Sequence, residues 1–179
     1  MPTAPTLLIR PTVDADLAAI TGIYAHAVRT GTASFELEPP DDDEMARRRQ
    51  AVLHAGLPWL TAEHGGTVLG YAYAGPFRPR PAYRFCVENS VYVDTRARGQ
   101  GIGGWLLAEL MARCETWGAR QMVAVIGDSA NQASIDLHVR LGFRHAGRLE
   151  HVGWKFGRWL DVVFMQRPLG AGATLPATD

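Results

Sequence analysis

The segment from Val91 to Gly104 carries the residue types and the spacing of an anion-binding site. An apolar strand, residues 91–93, runs into an arginine-bearing loop, and the loop ends in a glycine turn that opens a helix. Glycines let the backbone approach a ligand closely, and the first N–H groups of a helix have no partner within it. The helix dipole adds to the charges of Arg96 and Arg98. The pattern therefore predicts a site for a pyrophosphate-sized anion.

The glycine turn also matches a dinucleotide fingerprint, which keeps a second interpretation open. Gly99, Gly101 and Gly104 fit G-x-G-x-x-G, and Asp128 ends the next strand, where a dinucleotide fold binds the ribose. Residues 94–98, however, separate the strand from the first glycine, and too few residues follow to build the second half of a Rossmann sheet. An NAD-dependent dehydrogenase is thus the disfavoured alternative.

Composition bounds the class of protein. The chain has 179 residues, 47% of them hydrophobic and 20% charged, which fits one α/β domain with a full core. The formal net charge is zero, so no global field favours a nucleic acid or membrane partner. The six histidines are scattered and the two cysteines lack metal-ligand spacing, so we expect no metal. The sequence shows neither a signal peptide nor a membrane-length apolar run, and we expect a cytoplasmic protein.

The elements that must position the anion site alternate between strands and helices. The pattern predicts strand-rich structure first and then β-α-β-α-β-β, which gives a central mixed sheet with helices on both faces, an α/β fold. Residues 6–169 form the predicted single domain, and residues 170–179 form a predicted disordered tail. The predicted elements around the site are a hairpin at Gly65-Gly66, strands at 83–93, 122–126, 143–149 and 159–166, and helices from 101 and over 131–141.

The site resembles that of a known family. Arg98–Gly103 is similar to the Q/R-x-x-G-x-G/A signature of the GNAT N-acetyltransferases, which cradles the pyrophosphate of acetyl-CoA. Val91–Val93 resembles the family's splayed strand, and Asn131-x-x-Ser134 resembles the start of the helix across the cleft. The resemblance implies a GNAT acyltransferase fold and acetyl-CoA as co-substrate. It implies that acetyl-CoA contacts Val91, Tyr92, Val93, Arg98, Gly99, Gln100, Gly101, Ile102, Gly103, Gly104, Asn131 and Ser134.

Within that family the chain resembles the phosphinothricin N-acetyltransferase group over nearly its whole length. The matching segments are Thr32–Phe35, Ala72–Phe77, Ala82–Tyr83, Val87–Val93, Val123–Gly127, His138–Phe143 and Gly153–Val162. The group acetylates the α-amine of small amino-acid analogues such as phosphinothricin, methionine sulfoximine and methionine sulfone. The resemblance therefore implies such a substrate and a homodimer.

Acetyl transfer to an amine needs a base, because an α-ammonium is mostly protonated at neutral pH. Glu88 is the candidate, since its strand neighbours are apolar and burial would raise its pKa toward a useful value. It matches the group's catalytic glutamate, acts on the amine directly or through water, and so also belongs to the substrate site. A strand carboxylate with a purely structural role is the other interpretation of the residue alone.

The departing CoA thiolate needs a proton, and two residues are candidates for supplying it. His138 lies where the family often has a tyrosine that acts as general acid, and Tyr92 is an alternative donor in the strand. For His138, a role as an alternative base and a purely structural role in packing stay open as well. A backbone N–H near Val93 is expected to polarise the thioester carbonyl. Neither Cys86 nor Cys114 has a setting that activates a thiol, so we expect direct transfer in a ternary complex.

The acceptor needs a cation for its carboxylate or phosphinate. Arg78 and Arg80 precede the long strand, and the resemblance favours Arg80. Tyr83 and Phe35 are the predicted walls, and Lys155 approaches from the C-terminal hairpin or from a partner subunit. A non-catalytic acetyl-CoA sensor with the same fold is the alternative function, and the presence of both candidate proton-transfer residues argues against it.

Overall fold

A seven-stranded sheet and four α-helices make up residues 7–177, the part of the chain that the computed structural model describes. The strands are β1 (Leu8–Pro11), β2 (Trp59–His64), β3 (Thr67–Pro76), β4 (Cys86–Val93), β5 (Gln121–Gly127), β6 (Arg144–Lys155) and β7 (Arg158–Pro168). The helices are α1 (Leu17–Thr30), α2 (Asp42–His54), α3 (Ile102–Trp117) and α4 (Gln132–Arg140). The predicted domain start at residue 6 and the tail residues 178 and 179 lie outside the described residues.

The sheet is mixed, as predicted. Its strand order is β1-β2-β3-β4-β5-β7-β6, and every neighbouring pair is antiparallel except β4 and β5. Parallel neighbours need a crossover, and α3 provides it. A Rossmann sheet is built from parallel strands, so the single parallel pair contradicts the dehydrogenase interpretation.

Hydrophobic residues cover both faces of the sheet, since successive side chains of a strand point to opposite faces. In β3, Ala72 and Ala74 join the core beneath α3, whereas Tyr71 and Tyr73 join a second cluster beneath α1 and α2. Leu106, Leu107 and Leu110 of α3 are fully buried on the first face, and Ile20, Val28 and Met45 fill the second. The prediction of helices on both faces is confirmed.

Two-residue turns connect the strands of two β-hairpins in the sheet. Gly65-Gly66 joins β2 to β3 as predicted, and both residues have a positive φ, 57° and 78°. Phe156-Gly157 joins β6 to β7 with φ of 52° and 71°. Two-residue loops with positive φ at both positions suit the twist of a β-hairpin.

Two predicted strand boundaries are wrong. The strand expected from Tyr83 begins at Cys86, because Pro81–Tyr83 forms a single 3-10 turn. Proline fixes φ and suits the first position of such a turn. The strand expected to end at residue 149, β6, continues to Lys155. Its pairing with β7 shifts register at His145/Gly147 and at Leu149/Gly153, and such shifts interrupt the alternation of apolar and polar residues by which a strand is recognised in a sequence.

Residues 170–177 follow the sheet as successive turns. Gly172 N–H donates to Leu169 O at 2.8 Å, and the Arg120 guanidinium donates to Pro176 O at 3.4 Å. That the segment 170–179 is a disordered tail stays a prediction. Within residues 7–177, no helix has the length and apolar character needed to cross a membrane.

Candidate active site

The cleft of the molecule opens where β4 and β5 part. Their parallel pairing runs from Cys86↔Gln121 to Asn89↔Ala124, and beyond that point β4 pairs with β3 while β5 pairs with β7. A cleft of about 1040 Å³ begins there and is lined by Ser90–Val93 on one side and Val125–Asp128 on the other. The two strands therefore form a V, and Asn89 lies at its vertex.

Backbone amides of β4 point into this V. Asp94 N–H donates to Leu69 O on the β3 side at 2.8 Å. Along a strand the amide direction alternates, so the N–H groups of Val93 and Val91 point away from β3 and toward the cleft. The polarising role of an N–H near Val93 stays a prediction, and this geometry gives that N–H the direction the role requires.

The glycine turn forms the mouth of the cleft. Gly99 and Gly101 have φ of 76° and 80°, a left-handed conformation that favours glycine, and α3 begins directly afterwards at Ile102. The helix start carries no side-chain cap, so the amides of Ile102 and Gly103 are available to a ligand, whereas Gly104 N–H donates to Gly101 O at 2.9 Å. The cleft is lined here by Arg98, Gly99, Gly101, Ile102, Gly103 and Gly104.

The two loop arginines differ in their surroundings. The Arg96 guanidinium binds the Asp94 carboxylate at 2.6 Å, and that cation lowers the pKa of Asp94 to about 2. Arg98 is exposed at the cleft, and no ion pair of its side chain is found within residues 7–177. Gln100 Nε2 donates to Arg96 O at 3.5 Å, within the loop itself. Arg98 is therefore the arginine of this loop available for a phosphate.

Helix α4 forms the opposite wall. Asn131 caps it, and its Oδ1 accepts a hydrogen bond from Ser134 N–H at 3.3 Å. Both residues line the cleft. An N-cap side chain accepts from the N–H three residues later, which accounts for the spacing of Asn131 and Ser134. The cap uses only the side-chain oxygen of Asn131 and leaves its amide nitrogen available to a ligand.

His138 lies under the vertex of the V. Its side chain is buried, Nδ1 is 2.7 Å from Ser134 O, and Nε2 is 3.1 Å from Asn89 Oδ1. The ring also packs edge-on against Phe143. Burial lowers the pKa of His138, and the Ser134 carbonyl opposes that shift.

Glu88 lies on the opposite face of the sheet from His138, because it precedes Asn89 in the strand. It is half-buried, and burial raises its pKa, with the charge of Arg78 acting in the other direction. No hydrogen bond or ion pair of the Glu88 side chain is found in the described part of the chain. An unpaired carboxylate with a raised pKa beside the vertex has the properties of a general base.

Tyr92 belongs to an aromatic cluster on the Glu88 face. Its ring stacks on Tyr71 at 5.3 Å between centroids and meets Tyr24 edge-on at 5.0 Å. Burial raises the pKa of Tyr92 well above its usual value. The hydroxyl therefore stays protonated and interacts with Tyr24 inside the cluster, while the residue as a whole lines the cleft.

Residues 32–36 form a loop that contains Phe35, a predicted wall, and this loop packs against the ends of β5 and β6. The Phe35 ring lies between Gly127 and Gly153: a Cβ on Gly153 would stand 2.3 Å from Phe35 Cε2, and one on Gly127 would stand 3.0 Å from Cε1. Lys155 is buried, and its Nζ donates to Ser34 O at 2.7 Å. The packing of Phe35 against the two glycines and the hydrogen bond from buried Lys155 thus fix the position of the loop.

Asp128 fixes the same loop from another direction. Its carboxylate accepts hydrogen bonds from Thr32 Oγ1 at 2.9 Å and from Ala130 N–H at 3.0 Å, and it pairs with the Arg158 guanidinium. The ribose-binding role that a dehydrogenase would give Asp128 is therefore wrong, because the carboxylate already serves the loop.

The predicted acceptor residues divide into two groups. Arg78 acts on the pKa of Glu88 and contacts the Phe77 ring, so it lies near the candidate base. Arg80 is exposed at the start of the 3-10 turn, and Tyr83, 44% exposed, meets Phe77 edge-on. All three side chains are thus exposed and none of them lines the cleft, and of the three only Arg78 acts on the pKa of Glu88.

Sequence reasoning missed Asn89, Gly127 and Gly153. The hydrogen bonds of Asn89 and the contacts of both glycines join segments far apart in the chain, and no local pattern marks such contacts. As for metals, no group of three or more His, Cys, Asp or Glu side chains suited to an ion occurs within residues 7–177. Burial raises the pKa of Cys114 to about 12 and also raises that of Cys86, which leaves both thiols unreactive.

Comparison with known proteins agrees with this geometry. The profile of the Acetyltransferase (GNAT) family matches residues 20–143. A phosphinothricin N-acetyltransferase of Alcaligenes faecalis is 60% identical over 94% of this chain and 86% of its own length. An L-methionine sulfoximine/L-methionine sulfone acetyltransferase of Pseudomonas paraeruginosa is 44% identical over 94% and 98%.

A solved structure shares the whole architecture. The GNAT superfamily phosphinothricin acetyltransferase of Sinorhizobium meliloti, in complex with AcCoA, superposes with a TM-score of 0.94 at 48% identity and covers 97% of this chain and 94% of its own. The V between β4 and β5, the glycine turn and the family profile all lead to one assignment. The chain belongs to the GNAT family of acetyltransferases.

Proposed function

We propose that the protein transfers the acetyl group of acetyl-CoA to the α-amine of a small amino-acid analogue of the phosphinothricin, methionine sulfoximine or methionine sulfone type. The observation that carries the proposal is Glu88, an unpaired, half-buried carboxylate beside the vertex of the V. The activities named for the relatives from Alcaligenes faecalis and Pseudomonas paraeruginosa support the substrate class.

The cleft suits acetyl-CoA along its whole length. The glycine turn and Arg98 would hold the pyrophosphate, the amides of Val91 and Val93 would meet the pantetheine arm and thioester, and Asn131 would contact the arm from α4. The co-substrate supplies the acetyl group as a thioester. Its expected position follows the complex of the Sinorhizobium meliloti relative with AcCoA.

Proton transfer falls to residues on both faces of the sheet. Glu88 accepts a proton from the α-ammonium, directly or through water, and thereby frees the nitrogen lone pair for attack. The departing thiolate takes a proton from His138 or Tyr92, both of which line the cleft. Transfer is direct, since the two cysteines are protonated and buried or half-buried.

Acceptor recognition rests on the cations and walls near Glu88. The charge of Arg78 acts on the candidate base, so Arg78 would bind the carboxylate or phosphinate, with Arg80 and Tyr83 as further contacts. Phe35 forms a wall that Gly127 and Gly153 hold in position. Lys155 acts on this site from within the same chain, through its hydrogen bond to Ser34 O.

We extend the proposal to a homodimer in the cytoplasm. The two free cysteines fit a reducing compartment, and β6 is an edge strand beside exposed apolar side chains, the feature that marks interfaces. These side chains are Leu149, Val152, Trp154, Phe156 and Trp159, each 50–57% exposed. Light scattering should give twice the chain mass, and Trp154→Ser with Trp159→Ser should give the monomer. A monomeric parent protein would contradict the dimer.

A thiol-release assay tests the reaction. The panel contains phosphinothricin, methionine sulfoximine and methionine sulfone, with a polyamine and a peptide amine as controls. We expect turnover with the amino-acid analogues and little with the two controls. Turnover confined to the controls would overturn the substrate class. Tight acetyl-CoA binding without turnover on any amine would overturn the enzyme assignment in favour of a sensor.

A further inference from the structure

We propose that Asn89 is a positioning residue: it joins β4 to β5 at the vertex of the V and holds the His138 ring for its part in the acetyl transfer. This inference rests on the proposed function. Asn89 is 6% exposed and is the last residue of β4 that pairs with β5. Its side chain therefore sits where the sheet stops and the cleft starts.

The hydrogen bonds of Asn89 fix the direction of its amide. Nδ2 donates to Val123 O of β5 at 3.1 Å, and Oδ1 faces His138 Nε2 at 3.1 Å. Rotating the amide by half a turn would bring Oδ1 against the Val123 carbonyl, two acceptors facing each other. The bond to β5 thus compels Asn89 to present an oxygen to the histidine.

The other ring nitrogen also meets an oxygen, because Nδ1 is 2.7 Å from Ser134 O. A neutral imidazole has one N–H and satisfies one of these acceptors, whereas the doubly protonated ring donates to both. Burial opposes that charge. The side chain that hydrogen-bonds the ring, Asn89 of β4, and the one that packs edge-on against it, Phe143 just before β6, are both uncharged. Asn89 is therefore the side chain that governs how readily His138 holds its second proton.

Three variants separate positioning from mere packing. Asn89→Ala removes both hydrogen bonds. Asn89→Asp keeps the size of the side chain and puts a charge beside the ring, but replaces the donor to Val123 O with an oxygen. His138→Ala removes the ring on which Asn89 acts. We expect Asn89→Ala to lower kcat about tenfold and leave the KM of acetyl-CoA nearly unchanged. In the His138→Ala background the same change should have little further effect. An equal loss of kcat in both backgrounds would overturn the proposal.

Nitrogen-15 NMR of labelled histidine gives a readout that needs no turnover. We expect the pH at which His138 loses its second proton to fall in Asn89→Ala and to rise in Asn89→Asp, since the added carboxylate favours the cation. An unchanged His138 titration in both variants would overturn the proposal. Absence of turnover in the parent protein would instead count against the proposed function, and the two failures are thereby distinguished. Asn89→Asp decides the question if Asn89→Ala does not fold.

Discussion

The proposed donor end and the proposed acceptor end of the active site are built in different ways. The donor end uses one continuous segment, Arg98–Gly104, and the backbone amides of β4. The acceptor end gathers side chains from the loop at Phe35, from Glu88 in β4 and from Lys155 in β6. The continuous segment would bind the pyrophosphate of acetyl-CoA, which is the same for every acceptor. A site assembled from distant segments can be altered at one side chain without changing the others. The difference implies that substitutions should affect the two ends separately.

Glu88→Gln should have the largest effect and should leave the donor end intact. We expect kcat to fall by about 100-fold or more, because the variant lacks the base, and the Kd of acetyl-CoA to stay unchanged. Steady-state kinetics and calorimetry measure the two quantities. Glu109→Gln, on the surface of α3, is the matched control. A large loss of acetyl-CoA affinity in Glu88→Gln would contradict the separation of the two ends.

The pH dependence sharpens the assignment of Glu88. Burial raises its pKa, so the active carboxylate is lost as the pH falls through a value above the usual one, 4.5. Below that pH we expect kcat/KM to drop about tenfold per unit. The amine of the acceptor titrates equally with either enzyme, so the difference between the parent and Glu88→Gln profiles isolates this group. Identical profiles would exclude Glu88 as the titrating base.

Gly153→Ala tests the acceptor wall. Its Cβ would stand 2.3 Å from Phe35 Cε2, so the ring and its loop must move. Overpacking of this kind costs about 1–3 kcal/mol, and we expect the KM of the amino-acid acceptor to rise about tenfold or more. Gly147→Ala in the same strand is the control, since its Cβ would meet open space. Equal effects of the two substitutions would show that Phe35 is not held by this contact.

Arg98→Ala tests the donor end and should have the smallest effect of the series. Loss of one charge-assisted hydrogen bond to a phosphate should raise the KM of acetyl-CoA about tenfold, with kcat nearly unchanged. The neighbouring Arg96→Ala should do less, because that guanidinium is bound to Asp94. A rise in the KM of the acceptor amine alone would contradict the assignment of Arg98 to the donor end.

The sequence predicted correctly those features that depend on a few neighbouring residues. The Gly65-Gly66 hairpin, the helix after Gly101 and the family were predicted correctly, because glycine turns, helix starts and short motifs have patterns within a few residues. The extent of β6 escaped prediction, since its register shifts disrupt the alternation by which strands are recognised.

The contacts that hold Phe35 and the vertex in place escaped prediction for a different reason. Phe35 was predicted as a wall, but its packing against Gly153 joins positions more than a hundred residues apart, and so does the bond from Lys155 to Ser34. Asn89 shows the same limit, because its role depends on how α4 lies beneath β4. Such contacts between distant segments depend on how the strands and helices are arranged in the fold, and no local pattern in a single sequence specifies that arrangement.

We propose that an acetyl group moves from the donor end to an α-amine at the acceptor end without a covalent intermediate on the protein. Acetyl-CoA labelled with carbon-13 at the acetyl carbonyl, mixed with phosphinothricin and followed by NMR, tests this path. We expect the label in an amide on the α-nitrogen, in an amount equal to the thiol released. Label in free acetate, or on the protein itself, would contradict direct transfer to the amine.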